Sequence, residues 1–371
     1  MPLQRLSRYI LHAIATPSVL AFCVIAFMGV GNELQERYEM LPIAYLRVSD
    51  LARLMLYFLP TLVAYIVPIT YMMGILLAFV RLSENNEITA MKAAGIPLKR
   101  VVFPVIVVGA VLSLLSFVVQ DRVQPWALNR ANLLIYRELP KRITLEMLPA
   151  GVMHSYRGAN IYFGEKDPDS GTLRDIHIRQ TMEDGQTLSL YAESARVVSE
   201  PDGATTLSMP SAWVIPSGAG GAIVNPRWTN VEYTPPDPER QDIPSKRREM
   251  SIEGLLEEEA DWEQTYRDTP TLRVKHELRK SRIEIKDRMT WPLACLAFSV
   301  LAAPLAVRSG RGGKSYGFAI GFGIVLVYFI LGQVLEPRGL HSLTVTVARG
   351  FIPNVLFCVL GAWALWRVDR V

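Results

Sequence analysis

The sequence predicts an α-helical membrane protein with six transmembrane helices, three plus three, and an inserted extracytoplasmic all-β domain of jelly-roll type. Three observations predict it. Long apolar runs fill residues 1–120 and 289–371, whereas 121–288 reads like an ordinary soluble domain. Cations favour one side of the resulting hairpins. Within the insert, apolar and polar residues alternate with the period of a strand.

Six segments, near 10–31, 54–80, 101–120, 289–307, 315–335 and 350–366, are long enough for a hydrocarbon core, which takes about 20 apolar residues. None carries a central charge. Pro60, Pro68, Pro104 and Pro304 fall inside them, as membrane helices allow where neighbours satisfy the freed carbonyls. The first run continues past any small-residue cleavage site and is expected to be retained. With both termini inside, the short cytoplasmic pieces hold eleven cations (among them Arg81, Lys92, Lys99, Arg100, Arg308 and Lys314) and the short outer loops five. That asymmetry puts 121–288 outside the cytoplasm.

From about 150 to 235 the signals are β. Ile176 and Ile178 alternate with His177 and Arg179, and Asp-Gly pairs at 184–185 and 202–203 mark turns. Short strands at this spacing suggest a sandwich or jelly roll. Beyond a Pro-rich stretch, about 250–288 turns helical; "SIEGLLEEEADWEQ" is read as a surface helix whose run Glu257–Glu258–Glu259 is a solvated face. The next helix is expected to run into the fourth span.

Little chemistry is legible. Net charge is only +4, which gives no nucleic-acid footprint. Cys23, Cys295 and Cys358 lie in apolar runs without ligand or disulfide spacing. "RSGRGGKS" lacks the first glycine of a phosphate loop, and "HELRK" lacks the second histidine of a zinc-protease helix. No catalytic residue, metal site or cofactor is expected in this chain.

One polar stretch stands out: "RLSENNEITAMKAAGIPLKR", residues 81–100, between two very apolar segments. Ser83 to Glu87 suit a helix N-terminus, and Gly95 with Pro97 ends it. A helix over about 84–94 spans about 16 Å, with Ile88 and Met91 as a small ridge. It is either a plain connector or a rigid peg for a partner, both of whose ends continue into membrane helices.

These residues carry a family resemblance. "SENNEITAMKAAGIPLKRVVFPV", "DRVQPWALNRAN", "WPLACLAFSVLAAPLAVRSGRGGKSYGFAIGFG" and "FIPNVLFCVLGAWALWRV" resemble the LptF/LptG family of lipopolysaccharide-export permeases over essentially the full length. The resemblance implies domains 1–120 (helices one to three with a cytoplasmic coupling helix), 121–288 (a periplasmic jelly roll and helical linker) and 289–371 (helices four to six). It implies that the peg contacts an ABC ATPase dimer, on which ATP is bound and hydrolysed, with Glu84, Glu87, Met91 and Gly95 as contact or shaping residues. Its other implied partners are a second permease of this kind, a periplasmic bridge protein, lipopolysaccharide and the inner membrane.

Such a cargo constrains the path. Exposing one ~12-carbon chain to water costs on the order of 10 kcal/mol at about 0.8 kcal/mol per CH₂, so an apolar route must continue outward. Ile161, Phe163, Ile176, Ile178, Leu188, Leu190 and Trp213 are candidates to line a β groove, or equally to fill a closed core. Arg37, Arg53, Arg122 and Arg130, near outer helix ends, are candidates for phosphate contact or for local pairing. Gly317 and Gly321 form a G-x-x-x-G for close helix packing, within the chain or between subunits. A non-transporting receptor or mechanical transmitter, its β domain binding a periplasmic protein, is the alternative; an intramembrane enzyme is the weakest reading.

Overall fold

The computed structural model describes residues 2–36, 47–139, 148–156, 159–167, 171–181, 187–199, 205–217, 227–235, 247–308, 313–336 and 339–370. They fall into two compact units, one of residues 1–30, 58–128 and 245–371, the other of 31–57 and 129–244.

The first unit is helical. Its elements are α1 (Pro2–Glu36), α2 (Val48–Glu84), α3 (Glu87–Ala93), α4 (Leu98–Val118), α5 (Gln124–Leu133), α6 (Ile252–Asp268), α7 (Leu272–Thr290), α8 (Ala294–Arg308), α9 (Gly313–Leu335) and α10 (Leu343–Arg370). The outer parts of α1, α2 and α5 belong to the second unit. One apolar core joins Ile14, Met72, Leu76, Phe79, Val102, Phe298 and Ala302. The Ala-rich α8 is packed tightly: a Cβ at Gly361 of α10 would stand 2.7 Å from the Leu301 backbone nitrogen, and one at Gly109 of α4 3.1 Å from the Cys295 carbonyl oxygen. Small residues permit such approach where the surroundings are as apolar as the side chains. Outward faces are equally apolar, with Phe27 81% exposed and Phe103 and Leu114 also open.

The six expected spans are only partly met. Among the described residues four helices are long and apolar enough to cross a membrane, Gln4–Asn32, Val48–Glu84, Leu98–Glu138 and Leu343–Val368. A fifth arises if α7 and α8, bent by 50° at their junction, count as one span, and Ala319–Leu335 is apolar but shorter. The fourth segment therefore does not start at a clean helix end near 289. The charged α7 leads directly into it, and the chain breaks where Pro292 cannot continue the ladder. Side chains meet the carbonyls released there: Ser113 donates to the Pro292 oxygen at 2.7 Å and Asn354 to that of Thr290 at 2.8 Å. Tyr328 in turn donates to Asn354 at 3.1 Å. A break in an apolar setting persists only with such partners.

The second unit bears out the β domain as one antiparallel sheet, without showing a jelly roll among the described residues. Among the described residues six strands, β1 (Met153–Tyr156), β2 (Ala159–Lys166), β3 (Thr172–Thr181), β4 (Thr187–Ser199), β5 (Thr205–Ser217) and β6 (Arg227–Tyr233), form one antiparallel sheet in sequence order. A jelly roll needs crossovers between non-consecutive strands, and this sheet is a meander. Alternation gave the strands but not their connections.

A crease runs across the sheet. Leu173 and Ile176, Ala192 and Ala195, and Met209 and Ala212 are all buried although each pair is three residues apart. Strict pleating buries residues an even number apart, so each strand shifts phase by one residue at the same level. On β3 the shift falls at Asp175 (φ 54°), between the pairs Phe163–Ile176 and Glu165–Arg174; on β6 Asn230 has φ 53°. Bulge-like residues of this kind bend a sheet, here turning its apolar face inward.

Candidate functional site

The polar stretch of 81–100 becomes a turn, a short helix and a stop. Asn86 adopts φ 56° and separates α2 from α3, so the helix covers Glu87–Ala93, less than the expected 84–94. Its C-terminus is closed by backbone alone: the Gly95 N–H donates to the Lys92 oxygen at 2.9 Å and that of Ile96 to the Met91 oxygen at 3.0 Å. That double bond needs a left-handed residue at the first position past the cap, and Gly95 supplies φ 76°. Met91 and Ile96 pack together on the helical core, as does the buried Ile88. The small ridge of Ile88 and Met91 is thus a side that anchors α3.

Polar contacts tie α3 to the ends of α1 and α10, and the end of α2 to that of α8. Tyr9 of α1 donates to the Glu87 carboxylate at 2.8 Å, which also accepts from Asn85 at 3.2 Å. Lys92 donates to the Val368 carbonyl of α10 at 2.8 Å. Just before α3, Ser83 donates to the Val307 carbonyl of α8 at 3.3 Å. The Lys92 ammonium and the carbonyl near the end of α10 are a favourable pairing. Glu84 closes α2 and is exposed, as are Thr89, Ala90, Ala93 and Ala94, which leave α3 a shallow, mostly small-residue outer surface. Tyr9 and Val368 were missed at the sequence level, because no pattern links positions 78 and 276 residues from their partners.

The second unit gathers cations. Arg53, Arg130 and Arg137 line a cavity of about 200 Å³ together with Tyr57, Leu133, Leu134 and Glu138. Two of the four expected arginines therefore meet. Arg137 was not singled out, although its place seven residues after Arg130 puts both on one helical face. Arg122 does not line this cavity; it is exposed and pairs with Asp121 at 3.3 Å. Arg37 lies outside the described residues.

Of the expected groove residues, Ile161, Phe163, Ile176, Ile178 and Leu190 are buried and Leu188 is half-buried. Trp213 points the other way. It pairs with Tyr191, not with the Leu190 row, and joins a cross-strand row of rings: Tyr162–His177 at 5.7 Å, His177–Tyr191 at 4.5 Å and Tyr191–Trp213 at 5.2 Å, ending with Arg227 over Trp213 at 5.2 Å. Gly321 is a close-packing site within the chain, since a Cβ there would meet Met73 Sδ at 2.5 Å. Gly317 lies one turn earlier on α9, and its surroundings are outside the described residues.

The acidic run of α6 is not a solvated face. Arg247 donates to Glu258 at 3.0 Å and to Glu277 at 2.8 Å, and Ser281 donates to Glu258 at 2.9 Å. Arg282 donates to Glu259 at 2.5 Å, to Glu263 at 2.8 Å and to the His341 carbonyl at 2.6 Å. Arg288, fully buried, donates to the carbonyls of Met250 and Arg247. The start of α6 is held by Asp121, which accepts from the Ile252 N–H at 2.8 Å. This clasp fastens α6 to the base of α7, directly above the bend into α8. Within it the Glu263 carboxyl is held below its ordinary value, first by the Arg267 hydrogen bond and then by Arg282.

Apolar helices around a common core, a polar helix between the second and third apolar segments, and an inserted β sheet define a polytopic membrane protein with an extramembrane domain. A family model described as "Lipopolysaccharide export system permease LptF/LptG" matches residues 8–367. The chain belongs to that family, and as a permease it is a membrane subunit of a transporter, not itself an enzyme. No curated protein matches it.

Proposed function

We propose that this chain is the permease subunit through which a separate cytoplasmic ATPase dimer drives lipopolysaccharide out of the inner membrane. It pairs with a second permease of its family, keeps both termini in the cytoplasm, and hands the glycolipid along its periplasmic β domain to a bridge protein. The observation that carries this reading is the attachment of α3. An element exposing small residues outward, while gripping the ends of α1 and α10 beside the Ser83 tie of α2 to α8, can receive a push and deliver it to several helices at once. Glu84 and the surface of Thr89, Ala90 and Ala93 face the ATPase; Glu87 and Met91 hold α3 in place. Arg53, Arg130 and Arg137 meet the cargo's phosphates, bidentate geometry suiting them to that task. The apolar β face, opened at its crease, shields acyl chains.

Co-purification tests the coupling surface. Ala93→Arg and Glu84→Lys, at exposed positions, are expected to lose the ATPase from the purified assembly while the helical unit still folds. Tyr9→Phe, which alters only the inner side, is expected to retain it. Full ATPase retention in both surface variants would remove α3 from the interface.

A further inference from the structure

A pocket of the helical unit plays no part in the reading above. It measures about 170 Å³ and is walled by the ends of α7 and α9, the start of α10 and Tyr65 of α2. Its apolar wall is aromatic: Trp291 stands 6.1 Å from Tyr65, 5.5 Å from Tyr328 and 5.2 Å from Phe329, between ring centroids. Its charged residues are Lys286, Asp287, Glu336 and Arg349. The carboxylates are matched, Asp287 with Lys286 at 3.0 Å and Glu336 with Arg279 at 3.2 Å.

The donors are not matched. Trp291 is only 9% exposed, yet its indole Nε1 has no hydrogen-bond partner. Half-buried Arg349 has none among the described residues. A buried donor without an acceptor is costly and uncommon. Both unmet groups donate, and one is a permanent cation, so the missing species is an anion rich in acceptor oxygens. The ring wall requires that this anion carry apolar bulk.

Position narrows the choice. Arg349 and Val368 are 19 residues apart on α10, about 28 Å at 1.5 Å per residue. Val368 sits beside α3, so the pocket lies one hydrocarbon thickness (about 30 Å) from it, at the opposite membrane boundary. Lipid phosphates lie at that depth. Phe329 leads from the pocket to an exposed apolar flank of α9 at Leu326 and Ile330. We infer that this pocket holds the phosphodiester head of a glycerophospholipid, accepting hydrogen bonds from Arg349 and Trp291, as a resident lipid distinct from the exported cargo.

Native mass spectrometry of the full transporter assembly in mild detergent tests this, with phosphatidylglycerol, phosphatidylethanolamine, inorganic phosphate and lipopolysaccharide offered in turn. The wild-type assembly is expected to retain a phospholipid mass that Arg349→Gln weakens about tenfold or more, a charge-assisted bond being lost. Arg349→Lys should keep part of it, and Trp291→Phe, which preserves the ring packing, should weaken it further in combination with Arg349→Gln. Arg349 stands at the half-buried rim, so its variants are read even if Trp291→Phe unfolds. Undiminished phospholipid in Arg349→Gln would overturn the inference, as would displacement by inorganic phosphate alone or retention of lipopolysaccharide only.

Discussion

At the scale of single residues, the informative ones are polar groups in places where water is scarce. Arg282 and Glu259 expose only 7% and 8% of their side chains and touch at 2.5 Å. Removing Arg282 leaves Glu259 charged without its ion-pair partner, so Arg282→Met is expected to destabilise the α6–α7 pair by about 3–5 kcal/mol. The double variant with Glu259→Gln should recover much of that, as a thermal melt in detergent would reveal. Arg267, whose side chain is mostly exposed, is worth about 1 kcal/mol or less on removal. Glu263 adds a pH dependence. Its folded value lies below the ordinary 4.5, so its ionisation favours the fold above that range, and the contribution fades as pH falls through the depressed value. Acid melting of the clasp should thus shift less with pH in Glu263→Gln than in the wild type. Sequence reading took Glu258 and Glu259 for a solvated face because their partners, Arg247 and Arg282, lie on other elements. Charge runs disclose composition; only tertiary contact discloses pairing.

At the scale of elements, the short helix and the broken span matter most. The stop of α3 was legible because Gly95 and Pro97 are local signals, and its length was overestimated because Asn86, placed inside the expected helix, takes the left-handed turn that Asn adopts more readily than most residues. Gly95→Ala must place a Cβ at φ 76°, costing about 1 kcal/mol; open space around it means the penalty is conformational, and a lowered melting point with normal assembly would show that. Gly361→Val is more severe, since its Cβ meets the Leu301 backbone at 2.7 Å. It should separate α10 from α8 and cost the protein its detergent stability; an unchanged melt would mean that α8 is not held there. The strands were legible from period-two alternation, but the crease was not. A one-residue phase shift at Asp175 or Asn230 looks in sequence like ordinary polar positions, and the corresponding shift between Met209 and Ala212 on β5 sends Trp213 to the ring-bearing face instead of the apolar one.

At the scale of the whole molecule, the broad plan was open to sequence reading because two apolar blocks and a soluble insert differ in bulk composition. The number of spans was less so: a proline break between Trp291 and Leu293, where Ser113 and Asn354 reach in from distant helices, shortens the expected fourth span to the apolar rod α8 and sets it at 50° to the charged arm α7. Family membership makes the protein a lipopolysaccharide export permease, and the helical unit suggests how force would travel through it. The helix ends gripped by α3 belong to α1 and α10, and the end of α2 just before it holds that of α8. α8 is packed against α4 and α10, and its other end bends into the clasped α7. On the proposed reading, a push at one membrane boundary would be delivered through packed rods to the other.

The most direct test is the amount of lipopolysaccharide exported per ATP hydrolysed, measured in proteoliposomes with the complete assembly carrying Tyr9→Phe together with Lys92→Met. These changes cut the ties of α3 to α1 and α10 without touching its outer face. The account predicts continued ATPase binding and hydrolysis with export per ATP reduced about tenfold, two hydrogen bonds of about 0.5–1.5 kcal/mol each having been removed from the coupling path. Unchanged export per ATP in that double variant would contradict it.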